Sequence, residues 1–81
     1  MSLDQLIKLG KLAVGDELTW SRRSLRVEHR AKVLAGGKLQ TSDGSVHKTP
    51  SGAAKHLNNN KPVDGWIAWK LSNGKPLGSL R

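Results

Sequence analysis

The sequence predicts a small α+β domain, and three observations predict it. Residues 25 to 35 alternate apolar and polar side chains ahead of a pair of glycines, Thr49 and Pro50 open a helical stretch, and the chain is too short for more than one core. With 81 residues, 36% of them hydrophobic, the chain buries roughly 60–65% of its unfolded surface, which supports one modest core and excludes a two-domain enzyme.

Each element follows from local chemistry. Ser2 caps a helix over residues 2–9, with Gln5 completing a capping box, Leu3, Leu6 and Ile7 on one face and Gly10 as the stop. β-Hairpins fill residues 16–48. Asp16 to Ser21 alternates weakly. Leu25, Val27, His29, Ala31, Val33 and Ala35 alternate with Arg26, Glu28, Arg30 and Lys32 in a long strand with one wet face. Gly36 and Gly37 make a two-residue turn, because both central positions of the tight turn favour positive φ, and Lys38 to Thr41 returns as the partner strand. A Ser42-Asp43-Gly44 turn leads through Ser45 to Lys48 into a helix over 49–58, where Thr49 is the N-cap and Pro50 the first helical residue. Asn58, Asn59 and Asn60 with Pro62 end it. A β-hairpin over 65–80 closes the chain: a strand from Trp66 to Leu71, an Asn73-Gly74 turn, and Leu77 and Leu80 packing the tail.

Charge narrows the choice of partner. Fourteen Lys and Arg oppose 6 Asp and Glu for a net +8, and the excess is uneven: residues 1–28 are nearly balanced, while in 29–81 only Asp43 and Asp64 oppose nine basic groups. Such a surface favours a polyanion, nucleic acid before membrane, because no stretch has the strong amphipathic asymmetry of a membrane-surface helix. The chain has no cysteine, which excludes disulfides, thiolate nucleophiles and cysteine zinc sites. No apolar run approaches the ~20 residues needed to span a bilayer, and no signal-peptide pattern opens the sequence, so the expectation is a cytoplasmic protein without a membrane partner. Oligomeric state stays open.

Enzymatic chemistry finds little support. Ser45 and His47 lie two apart, but no carboxylate is placed to orient the histidine. His29, His47 and His56 fall in three elements without metal-ligand spacing, and no phosphate-binding glycine loop occurs. The expectation is therefore no enzyme, no cofactor and no metal. The tryptophans say more, since three are present without any Phe or Tyr. Strand alternation puts Ile67, Trp69 and Leu71 on one face, with Trp69 in the core, and Trp66, Ala68 and Lys70 on the other. Trp66 then reads either as a stacking surface for a base or sugar, or as a second core tryptophan beneath the helix 49–58. The start of that helix, with Lys48, Ser51 and Lys55 nearby, offers positive dipole and N–H groups to a phosphate.

Together, Gly44-Ser45-Val46-His47, Thr49-Pro50-Ser51-Gly52-Ala53-Ala54, Asp64-Gly65-Trp66 with Trp69, and Leu80-Arg81 resemble the RAMA family, the restriction-enzyme and adenine-methylase associated domain. Gly15 to Leu18 matches a further family segment, and the resemblance covers nearly the whole chain. It implies a DNA-binding accessory module of DNA methyltransferases or restriction endonucleases that senses modified DNA. It also implies DNA contacts at Ser45, Asp64, Trp66 and Arg81. Thr49 stands where the family usually has serine, which keeps the cap. Asp64 replaces the usual asparagine, which removes two N–H donors and adds a negative charge, while leaving an acceptor for a cytosine amino group. The chain has no tyrosine and so no Asp/Asn-Pro-Pro-Tyr methyltransferase motif. The resulting expectation is duplex DNA bound through Ser45, His47, Lys48, Thr49, Ser51, Lys55, Asp64, Trp66, Lys70 and Arg81. The alternative is a protein-interaction or regulatory module with no direct DNA contact.

Overall fold

Four antiparallel strands in sequential order form one sheet: β1 (Glu17–Arg22), β2 (Val27–Leu34), β3 (Lys38–Thr41) and β4 (Val46–His47). Helices α1 (Leu3–Lys8), α2 (Pro50–Leu57) and α3 (Gly65–Ala68) complete an α+β architecture. The computed structural model describes residues 2–81. The register pairs Leu18 with Ala31 and Val33 with Leu39, so these side chains share a face. There they meet Leu3 and Leu6 of α1, Ala53 of α2, Trp69 and Leu77 in one buried cluster. Each fully buried leucine in it contributes about 1.5–3 kcal/mol of transfer free energy.

Both longer helices start as their caps dictate. At α1, Ser2 Oγ accepts from Gln5 N and the Gln5 side chain accepts in return from Ser2 N, a complete capping box. At α2, Thr49 Oγ1 accepts from Gly52 N at 2.9 Å, and Pro50 occupies the first helical position. Asn59 and Asn60 end α2 at φ 53° and 63°, the left-handed conformation that asparagine tolerates better than most residues.

Three sequence expectations need correction. The β2–β3 connection has three residues, not two, because Leu34 pairs with Lys38 and leaves Ala35 to Gly37 between them. Gly36 and Gly37 do take positive φ, 82° and 78°, and Gly37 has a second constraint: a Cβ there would lie 2.5 Å from the backbone nitrogen of Asp4. The alternating stretch does not run from Leu25. Arg23–Leu25 form a 3-10 turn, Arg26 is left-handed at φ 53°, and β2 begins only at Val27. Its apolar face is covered at Ala31 and Val33, whereas Val27 is 41% exposed, since the β1–β2 ribbon runs beyond the core.

The third correction concerns the strand expected over Trp66 to Leu71 within a hairpin over 65–80. Residues Gly65–Ala68 form the one-turn helix α3 instead, capped by Asp64 through a 3.0 Å bond from Trp66 N. Ile67, expected beside Trp69, is 64% exposed, and Ala68, expected on the polar face, is buried. Trp69 does enter the core. The physical reason is that Trp69 also has a polar demand: its Nε1 donates to the Pro50 carbonyl at 3.0 Å, and a helical turn before it delivers the indole to the start of α2. Only Lys70 keeps sheet pairing, bridging Thr19 on β1 and Pro76 across the 71–74 turn. A second 3-10 turn, Leu77–Leu80, packs the tail with Leu77 fully buried.

Candidate nucleic-acid interface

The motif residues lie on elements that pack in succession, β4 on α2, α2 on α3 and α3 on the C-terminal turn. Gly65 makes the α2–α3 contact possible: a Cβ at this position would sit 2.1 Å from the Pro50 carbonyl carbon, so only glycine lets α3 lie against the first turn of α2. Ser51 Oγ accepts from Gly65 N at 3.0 Å and ties the two helices together. Of the expected contact residues, Thr49 and Ser51 are thus already bonded within the protein, while Lys48, Thr49 and Lys55 face solvent.

Trp66 and Arg81 meet directly. The Arg81 guanidinium lies over the Trp66 ring, 4.5 Å from its centroid, in cation–π geometry. Trp66 is half-buried, so neither sequence reading of it holds alone: part of the indole packs against the core cluster and part remains at the surface under the arginine. Asp64, expected as a DNA contact, is placed beside it as the cap of α3. Lys70 stands apart. Its ammonium donates to the Ile67 carbonyl, and it lines a groove between β1 and α3 together with Trp20, Arg23, Asp64 and Ile67.

Next to Ser45 lies a cluster that contains His47, one of the expected DNA contacts, joined to Asp43 and His56, which were not among them. The Asp43 carboxylate accepts from the Thr41 hydroxyl and from Ser45 N at 3.1 Å, and it pairs with His56 Nε2 at 2.7 Å. The Thr41 bond first, then the His56 and Ser45 bonds, hold Asp43 well below the usual carboxylate range. His47 packs on His56 with ring centroids 4.8 Å apart, and its Nε2 is buried without a partner among the described residues. Burial pushes the His47 imidazole below its ordinary value and His56 pushes the same way, with Asp43 working against both. His47 is accordingly a neutral packing ring at neutral pH, and Asp43 fixes the turn that presents Ser45. The only sequence signal was Asp43 within a turn, where its side chain commonly bonds the backbone two residues on.

Every carboxylate among the described residues has an internal role. Asp4 pairs with Lys8 at 3.1 Å, Glu17 and Glu28 both pair with Arg30, Asp43 pairs with His56, Asp16 accepts from Ala13 N, and Asp64 caps α3. Lys48, Lys55 and Arg81 pair with none of them.

A family model described as Restriction Enzyme Adenine Methylase Associated matches residues 1–81. Among curated proteins nothing matches the chain at a significant level. With the match spanning the chain from its first residue to its last, the protein belongs to the RAMA family of domains associated with restriction enzymes and adenine methylases.

Proposed function

We propose that this domain binds duplex DNA for a restriction or adenine-methylation system, through the face built from β4, the start of α2, α3 and the C-terminal turn. Its role there is to sense modified bases, not to carry out catalysis. The observation that carries the reading is the Arg81–Trp66 stack on α3, which packs against the start of α2, together with Lys48, Lys55 and Arg81 as cations that pair with no side-chain carboxylate among the described residues. An arginine held over an indole keeps its N–H groups directed outward at modest entropic cost, and the planar guanidinium continues the aromatic stack toward a base. Lys48, Lys55 and Arg81 would take phosphates and supply affinity, while Ser45 and Trp66 would approach sugars or bases and supply selectivity.

The test is a titration of isotope-labelled protein with a short duplex, followed over a range of salt. Amides of 45–55 and 65–70 and the Trp66 indole should shift, and log K should fall against log salt with a slope near −4 to −5, as expected for about four to six neutralised phosphates. Shifts confined to scattered lysines, or a salt-independent affinity, overturn the reading. No shift at all favours a module that docks a partner protein. Competition between matched duplexes with and without N6-methyladenine tests the sensing role.

A further inference from the structure

The sequence places most of the net charge beyond residue 28, yet three of its five arginines lie before it, at 22, 23 and 26. The end of the β1–β2 ribbon carries Arg22, Arg23 and Arg26 around the 3-10 turn. Arg22 is anchored: its guanidinium donates to Asn58 Oδ1 at 2.9 Å and to the Leu57 carbonyl at 3.5 Å, and it lies 4.8 Å from the Trp20 ring centroid. Trp20 in turn stacks edge-on against the core residue Trp69 at 6.0 Å. The ribbon end is thereby braced against the C-terminal end of α2. Arg23 and Arg26 are exposed, and neither side chain has an internal hydrogen-bond or carboxylate partner among the described residues. Arg26 holds a left-handed φ of 53° at which a side chain other than asparagine or glycine is uncommon. Arg23 also lines the β1–α3 groove opposite Lys70, where Asp64 is the one acid and is already engaged as the α3 cap.

We propose that this braced arginine end, Arg23 and Arg26, is a second phosphate-binding element that grips the backbone of the same duplex held at the α2–α3 face. It rests on the DNA-binding reading above and extends it by one helix length: α2 has eight residues, so its two ends lie about 12 Å apart, and the ribbon end is fixed at the far one. Phosphates are the fitting partner because the two guanidiniums are unpaired, exposed and carried on a support that loses little freedom on binding.

The experiment compares salt-dependent binding of a labelled duplex, long enough to span both elements, to three double variants and the parent. Arg23→Gln with Arg26→Gln should flatten the salt slope by about two units, one per lost phosphate contact. Arg23→Lys with Arg26→Lys should restore it, since the charge is kept. Lys32→Gln with Lys38→Gln, a charge-matched change on another part of the sheet, should leave it nearly unchanged. Equal flattening by both glutamine pairs means diffuse charge and overturns the proposal, as does failure of the lysine pair to rescue. An unaltered slope in the arginine variant, with amides 45–55 still shifting, overturns this element alone. Absence of parent binding overturns the DNA-binding reading itself and this proposal with it. Unchanged thermal melting of each variant establishes that the fold is intact.

Discussion

Three tryptophans sit in three different environments, and each does different physical work. Trp69 is fully buried and hydrogen-bonded to Pro50, Trp20 links that core to Arg22, and Trp66 lies half-covered beneath Arg81. Truncating Trp69 would remove a large core side chain and its hydrogen bond to the Pro50 carbonyl. Trp69→Ala is expected to cost about 3–5 kcal/mol in urea unfolding. Trp66→Ala should cost clearly less while weakening binding to duplex DNA. Equal losses of stability from the two would contradict their different burial. The sequence placed Trp69 in the core and left Trp66 open between stacking surface and core, and its reason for Trp69 was imperfect: strand alternation put Trp69 inward together with Ile67, and Ile67 is instead at the surface.

Among the elements, α3 is the shortest α-helix, and its first two N–H groups are taken by Ser51 and by the Asp64 cap. It has four residues, and Asp64 is the acceptor that starts it. Asp64→Ala should destabilise the domain by about 1 kcal/mol, whereas Asp64→Asn, which keeps a capping oxygen, should be nearly neutral. Urea titration measures both. On the DNA-binding reading, Asp64→Asn should also tighten duplex binding by removing a negative charge from the interface. A tighter Asp64→Ala than Asp64→Asn fold would show that the cap is dispensable. The helices with strong start signals, Ser2 with Gln5 and Thr49 with Pro50, were legible in the sequence, as were the β2–β3 turn glycines. A one-turn helix spans too few residues for helical periodicity to appear, so Ile67, Trp69 and Leu71 imitated a strand. The candidate face was legible through its family motifs, but the Arg81–Trp66 stack and the Asp43–His56–His47 cluster join residues distant in sequence. No spacing rule reaches them. The arginine end of the ribbon was obscured differently, because the balanced charge count of residues 1–28 averaged it with Asp4, Asp16 and Glu17, which lie away from it, and with Glu28, which the fold pairs with Arg30.

For the whole molecule, acidity should be destabilising well before the carboxylates titrate. Burial first, and Arg22 second, pushes His29 below its ordinary value, and burial with His56 does the same to His47. Because both folded values lie below the unfolded one of about 6.5, the unfolded chain takes up protons first, so stability is complete above that pH and is lost as pH falls through the folded values. Urea unfolding at pH 5 should therefore give lower stability than at pH 7.5; a flat profile would mean these rings protonate freely in place. Asp43, held low, adds a further loss only below about pH 4. The close approach of Gly65 to Pro50 has a final consequence. With Trp69 bonded to Pro50 and Ser51 to Gly65, the start of α2 and the whole of α3 are fastened to the core at residues far apart in the chain. Those two helices should therefore open together, and the proposed binding face should be lost in the same cooperative event that opens the hydrophobic interior, which hydrogen exchange at the α2 and α3 amides measures.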